Sequence, residues 1–124
     1  MLKSKIHRAI VTAVDLNYEG SLALDEALLR AANIAPGEQV HVFNVANGQR
    51  WITYAIPAPE GSGSVLLNGA AARLGLPGDP LIVAAFALVD EREVSGFQPK
   101  VVLLSSGNRL ARPARRAQGR RSRS

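Results

Sequence analysis

Gly20 and Ser21 form a peptide bond that a protein can break from within. Glycine has no side chain to shield its carbonyl, and it adopts backbone angles that other residues resist. The Ser21 hydroxyl lies one residue downstream of that carbonyl. If the fold bends the bond, Ser21 Oγ attacks the Gly20 carbonyl, and the acyl group moves from nitrogen to oxygen. An amide becomes a weaker ester. Elimination across Cα–Cβ of Ser21 then frees Gly20 as a new C-terminus and leaves dehydroalanine. Tautomerisation and hydrolysis release ammonia and leave a pyruvoyl ketone capping the second chain. Taken alone, a Gly-Ser pair is ordinary turn chemistry. The residues around it, Tyr18-Glu19-Gly20-Ser21, and those elsewhere in the chain give it weight.

Other reactive residue types are spread along the sequence. Lys5 and His7 share a parity on a first strand and point the same way. Arg50 and Tyr54 share a parity on a later strand and can face one site. Thr53 has the opposite parity and reaches that site only from a strand edge, a bulge or a neighbouring subunit. Arginine is the natural fork for a carboxylate, and a phenol in a buried polar site can act as a general acid. Asn68-Gly69-Ala70-Ala71 reads as a turn feeding a short helix whose first N–H groups are free, which suits an anion. His7 and His41 also have a plainer reading as structural strand histidines, and Trp51 as a packing residue. No second histidine or carboxylate has metal-ligand spacing with His7, so no metal is expected.

The elements that must position these residues are mostly short strands. Ile6–Val14 has β-branched residues on both parities and suits a strand buried on both faces. A turn-rich link, 15–20, precedes a short strand at Ser21–Leu24. Asp25 is a good N-cap for a helix whose apolar stripe is Leu28, Leu29 and Ala32. Gln39–Ala46 and Gln49–Ile56 read as a hairpin joined by a two-residue Asn47-Gly48 turn. Further strands are expected at Ser64–Leu67, Leu81–Val89 and Lys100–Leu104, with loops at 57–63 and 76–80.

Composition narrows the classes. A chain of 124 residues suggests one domain, and one small enough that association with its own copies is plausible. Without cysteine there are no disulfides, thiolate metal sites or cysteine nucleophiles, which agrees with a cytoplasmic location. No signal-peptide core is read at the N-terminus, and the longest apolar run, Leu81–Val89, is too short to span a membrane. The net charge of +5 comes from the end of the chain. Seven arginines and no acid follow residue 108; the first 108 residues carry eight basic and ten acidic groups, a net of −2. Residues 106–124 therefore read as a disordered arginine-rich tail.

Lys5-Ile6-His7-Arg8, Tyr18-Glu19-Gly20-Ser21, Asn44-Val45, Asn47-Gly48, Arg50 with Thr53-Tyr54-Ala55-Ile56, and Asn68-Gly69-Ala70-Ala71-Ala72 follow one another in a distinctive order and spacing. Over residues 1–105 the chain closely resembles the bacterial aspartate α-decarboxylases. These are pyruvoyl-dependent enzymes, made as proenzymes, that produce β-alanine for pantothenate synthesis. The resemblance implies a mainly β fold, a small double-psi β-barrel with short helices, assembled as a homotetramer with active sites between adjacent subunits. It implies self-cleavage at Gly20-Ser21 into a β-chain, 1–20, and an α-chain, 21–124, that starts with the pyruvoyl group. The amine of L-aspartate would condense with that ketone to a Schiff base, whose conjugated carbonyl takes up the electrons left by CO2. Tyr54 matches the proton donor. Thr53, Gly69, Ala70 and Ala71 match substrate-contacting positions, Arg50 is assigned to the side-chain carboxylate, and Lys5 adds positive charge beside it. Asn68, Tyr18 and His7 are candidates for the cavity lining. The family includes members that cleave spontaneously and members that need a helper protein.

Two other classes compete. A small β-barrel could bind nucleic acid through its basic tail, but the chain has six aromatic residues and lacks the interleaved surface set that stacks bases. Nucleic acid and membrane partners are therefore not expected. An inert scaffold barrel is the other, and the presence of Lys5, Gly20, Ser21, Arg50, Thr53 and Tyr54 together speaks against it.

Overall fold

A computed structural model of the chain describes residues 1–111. The part of the expected tail from Arg112 onward lies outside the described residues. Strand β1 (Leu2–Ile10) buries Ser4 and Ile6 by period-two alternation, and a bulge between His7 and Ala9 shifts the alternation so that Ala9 is the next residue buried. The expected continuous strand to Val14 is broken at Val11-Thr12, where β2 (Ala13–Asp15) begins, wholly exposed. The break has a purpose in the ladder. Val11 N donates to the Asp79 carbonyl and its own carbonyl accepts from Gly78 N, while Thr12 N donates to the Val65 carbonyl.

The remaining strands are β3 (Leu22–Asp25), β4 (Gln39–Asn44), β5 (Arg50–Ala58), β6 (Val65–Asn68), β7 (Pro80–Phe86), β8 (Lys100–Ser105) and β9 (Arg109–Leu110). They form one sheet in the order β2-β6-β3-β5-β4-β7-β1-β8-β9. The chain of residues 2–15 supplies both β1 and β2, and so joins the β6 end of the sheet to the β7 side. This rolls the sheet into the small mainly β barrel expected from sequence. The parallel pairings β1–β8, β2–β6 and β3–β5 need crossing connections, which a simple up-and-down barrel lacks. Ile6, Leu22, Leu24, Val42, Leu67 and Leu81 fill its interior.

Helix α1 (Glu26–Ala32) closes one end. Asp25 Oδ1 accepts from Ala27 N at 2.9 Å, and the helix stops at Asn33 in a left-handed conformation whose N–H reaches back to the Arg30 and Leu29 carbonyls. Leu28, Leu29 and Ala32 are the buried stripe. The β4–β5 hairpin forms in register, Phe43 opposite Arg50, but its connection is five residues long rather than two. A type I′ turn needs positive φ at both central residues, and of Asn47 and Gly48 only Gly48 has it, at +76°. The Asn44 side chain explains the longer loop: Oδ1 accepts from Ala46 N, and Nδ2 donates to the Leu74 carbonyl and to Asp79.

The sequence boundary at residue 105 falls too early. Residues 106–108 make a 3-10 turn and β9 pairs with β8, with Asn108 buried. Asn108 Oδ1 accepts from Ile10 N at 2.7 Å, and its Nδ2 donates to the Ile10 and Gly63 carbonyls at 2.9 Å. The neighbouring carboxylate of Asp25 accepts from Gly61 N and Gly63 N as well as Ala27 N. Two buried side chains thus tie the helix start, the 61–63 loop, β1 and the C-terminal strap together. Burial pushes the Asp25 carboxyl up, but the hydrogen bonds from Gly63, Ala27 and Gly61 and the Arg30 charge outweigh it and hold the group below its ordinary value.

A carboxyl with a lowered folded pKa contributes stability above its unfolded value, and that contribution is lost as pH falls through the folded one. Asp25→Asn should therefore lower stability at pH 7 by about 2 kcal/mol. Urea unfolding should show the gap from the parent chain narrowing below about pH 4. A gap that stays constant into acid would refute this account of the knot.

Candidate active site

Ser21 lies at the entry to β3 and is 1% exposed. Its backbone φ is +111°, a region that L-residues rarely adopt and that costs on the order of 1–3 kcal/mol. Strain of that size persists only where the surroundings enforce it. Here β3 is laddered on both sides, Leu22 facing Leu67 of β6 and Ala55 of β5. One step back along each ladder sets Ser21 between Asn68 and Tyr54. The Asn68 N–H donates to the Ser21 carbonyl at 3.2 Å, and its Nδ2 donates to Ser21 Oγ at 3.4 Å. Asn68 is itself buried.

Residues Gly69–Arg73 follow as a 3-10 turn with Gly69 and Ala71 buried and Ala70 exposed. The expected short helix is thus of the 3-10 kind. Gly69 has φ +66°, and its Cα approaches the backbone of Gly20 and Tyr18. The 15–20 link is held at its start by Asp15, which accepts from Asn17 N and from Tyr18 N. Tyr18 is half exposed beside the link. Within one chain, then, the fold brings together Tyr18, Gly20, Ser21, Asn68, Gly69 and, by register, Tyr54.

Lys5, His7 and Arg50 lie elsewhere. Two parallel rows of side chains cross the outer face of β8, β1, β7, β4 and β5. One row is Leu103, His7, Ile82, Phe43 and Arg50; the next is Val101, Lys5, Ala84, His41 and Ile52. Lys5 stands three strands from Ile52, roughly 14 Å, and Arg50 stands four residues from Tyr54, about 13 Å. The Arg50 guanidinium lies over the Phe43 ring, 5.2 Å from its centroid, so it is drawn across to β4 and not along β5 toward Tyr54. Phe43 was not among the residues read as functional. Its rung position opposite Arg50 is the signal that finds it.

This outer face is apolar as well as basic. Val101, Leu103, Phe86, Ile52 and Tyr54 are 42–58% exposed across it. His41 meets Phe86 edge to face at 4.8 Å, a packing role. His7 Nδ1 is buried with no hydrogen-bond partner among the described residues. Burial, followed by the positive charges of Lys5 and Arg8, pushes the imidazole below its ordinary range and leaves it neutral at pH 7. Next to it β1 is bulged, with Arg8 at φ +66°, a device that re-aims neighbouring side chains. Thr53 is half-buried and opposite in parity to Tyr54. It sits where β5 pairs with β4 alone, since β3 joins only at Ala55.

Among the described residues no group of three or more His, Cys, Asp or Glu is placed to hold a metal ion, and no helix is long and apolar enough to cross a membrane.

Comparison with known proteins supplies the family. A family model described as aspartate decarboxylase matches residues 1–111, which includes the Asn108 strap. An aspartate 1-decarboxylase of Syntrophobacter fumaroxidans is 60% identical over 109 residues, 88% of either chain. That of Polaromonas naphthalenivorans is 56% identical over 110 residues, covering 89% of this chain and 87% of its own. That of Burkholderia ambifaria is 53% identical over 111 residues, covering 89% and 87%. The family model's match over every described residue and relatives at 53–60% identity agree: the chain belongs to the aspartate decarboxylase family.

Proposed function

We propose that this protein breaks its own Gly20–Ser21 bond and then decarboxylates L-aspartate to β-alanine and CO2 for pantothenate synthesis. The observation that carries the reading is Ser21: a nucleophilic side chain, buried, held by Asn68 and forced into a φ of +111° next to a glycine carbonyl. Strain in the ground state that is relieved when the amide becomes an ester lowers the barrier to that step.

The residues present fit a pyruvoyl group at position 21. Its carbon skeleton would be that of Ser21 itself, buried, with the Asn68 N–H on the retained Ser21 carbonyl, while the Oγ that the Asn68 side chain holds would leave with Gly20. When formed, the group supplies a ketone that takes the substrate amine and accepts electrons as CO2 leaves. The chain's own residues do the rest. Tyr54, on the strand beside Ser21, returns a proton to the substrate Cα. The backbone of Gly69, Ala70 and Ala71 and the hydroxyl of Thr53 orient the substrate, and Tyr18, Asn68 and His7 line the cavity. Arg50 forks the side-chain carboxylate, with Lys5 adding charge. Pairing Arg50 with the departing carboxylate instead would stabilise the ground state and slow its loss.

Lys5, His7 and Arg50 face outward beside exposed Val101, Leu103, Phe86 and Ile52. A second copy of the chain laid over this face would bury an apolar patch and carry its own Ser21 to the waiting cations. We therefore read the active protein as a homotetramer with shared sites, in the cytoplasm, its maturation open to help from a second protein. The folded decarboxylase domain would run to about residue 111, with the arginine-rich remainder as an accessory.

Ser21→Ala should abolish both chain splitting and β-alanine production, read by intact mass and a product assay; normal product from that variant would overturn the reading. Arg50→Ala, fully split, should raise the KM for aspartate by tenfold or more, as loss of a charge-assisted pair of about 1.5–3 kcal/mol requires. Unchanged KM would remove Arg50 from the site. Coexpressed Ser21→Ala and Arg50→Ala chains should regain normal-KM turnover that neither has alone, because mixed assemblies hold some intact sites. Failure to regain it would argue that each site lies within one chain.

A further inference from the structure

Asn68-Gly69 and Gly20-Ser21 meet as a matched pair of dipeptides. Leu67 is the rung partner of Leu22, so one step on sets Asn68 against Ser21 and the next sets Gly69 against Gly20. Asn68 grips Ser21 through two hydrogen bonds. Gly69 touches Gly20 differently, through the bare side of its Cα. A Cβ at Gly69 would lie 2.8 Å from Gly20 Cα, 2.8 Å from Gly20 N and 3.0 Å from the Tyr18 carbonyl oxygen. All three are backbone atoms, so no side chain can swing aside. A Cβ added at Gly20 would meet nothing within 4 Å. The crowding at this junction is therefore on the Gly69 side.

We propose that Gly69 is a positioning residue for self-cleavage: its bare Cα is the surface that seats Gly20 and sets the Gly20 carbonyl in reach of Ser21 Oγ. The inference rests on the self-cleavage reading. In the step it serves, the Oγ–carbonyl carbon bond forms, the Gly20–Ser21 C–N bond breaks, and the hydroxyl proton ends on the freed amine, with no other reactant. Restoring ordinary contact from 2.8 Å to 3.4 Å would move Gly20 by about 0.6 Å. Displacements near 1 Å cost roughly a hundredfold when reacting atoms must be aligned.

Three variants separate the missing Cβ from backbone strain. Gly69→Ala adds both. Gly69→Asn adds the same Cβ with a residue that tolerates the left-handed φ of +66°. Gly78→Ala adds strain alone, since Gly78 has φ +96° and open space around its Cβ position. Splitting is followed by intact mass, and folding by thermal melting and circular dichroism. The parent chain and Gly78→Ala should split alike, while both Gly69 variants stay folded and split at least about a hundredfold more slowly. Hydroxylamine should release no Gly20 hydroxamate fragment from the unsplit variants, because the ester never forms. The proposal is overturned if Gly69→Asn splits at the parent rate, if Gly78→Ala is as slow as Gly69→Ala, if hydroxylamine reveals accumulated ester, or if the Gly69 variants do not fold. A parent chain that never splits would instead overturn the self-cleavage reading itself.

Discussion

A serine held at a φ of +111° has to be held by something, because the chain relaxes out of such a conformation wherever it is free to. Ladders on both sides of β3 provide the restraint. Leu22 is fixed between Leu67 and Ala55, and the residue before it inherits that placement. In the sheet order β3 lies between β6 and β5, and residues 2–15, serving as two strands, link the β6 end of the sheet to β7 and β8. The core of Ile6, Leu22, Leu24 and Leu67 then makes the arrangement hard to open locally. Ser21 sits buried at the strained end of a well-packed element, next to an exposed Gly20.

The candidate residues fall into two groups on the barrel. Ser21, Asn68, Gly69 and Tyr54 gather where β6, β3 and β5 run side by side. Lys5, His7 and Arg50 are set in rows on the outer face, among apolar side chains that a lone subunit leaves in water. Arg50 and Tyr54 share a face of β5 but lie about 13 Å apart along it.

Buried polar side chains brace the loops around this frame. Asp25, Asn44 and Asn108 each hold backbone groups from segments distant in sequence. Each satisfies its hydrogen-bonding groups with good geometry, so burial is offset and the loops are fixed in place.

Much of this was legible in the residues alone. Alternating apolar positions marked the strands, Asp25 marked the helix start, and the ordered set of motifs named the family and its candidate site. Those signals are local or are matched in order along the chain, so tertiary contacts are not needed to read them. The rest depended on partners far away in sequence. Asn47-Gly48 has the composition of a two-residue turn, but the Asn44 amide is recruited by Leu74 and Asp79 and lengthens the loop. Residues 106–111 have the composition of a tail, yet one asparagine bonded to Ile10 and Gly63 makes them a strap. The backbone of Ser21 and the bare face of Gly69 were decided last, by which strands became neighbours. Periodicity can say that a segment is a strand, but only closure of the barrel says which strand lies beside it and what conformation the joining residues must bear.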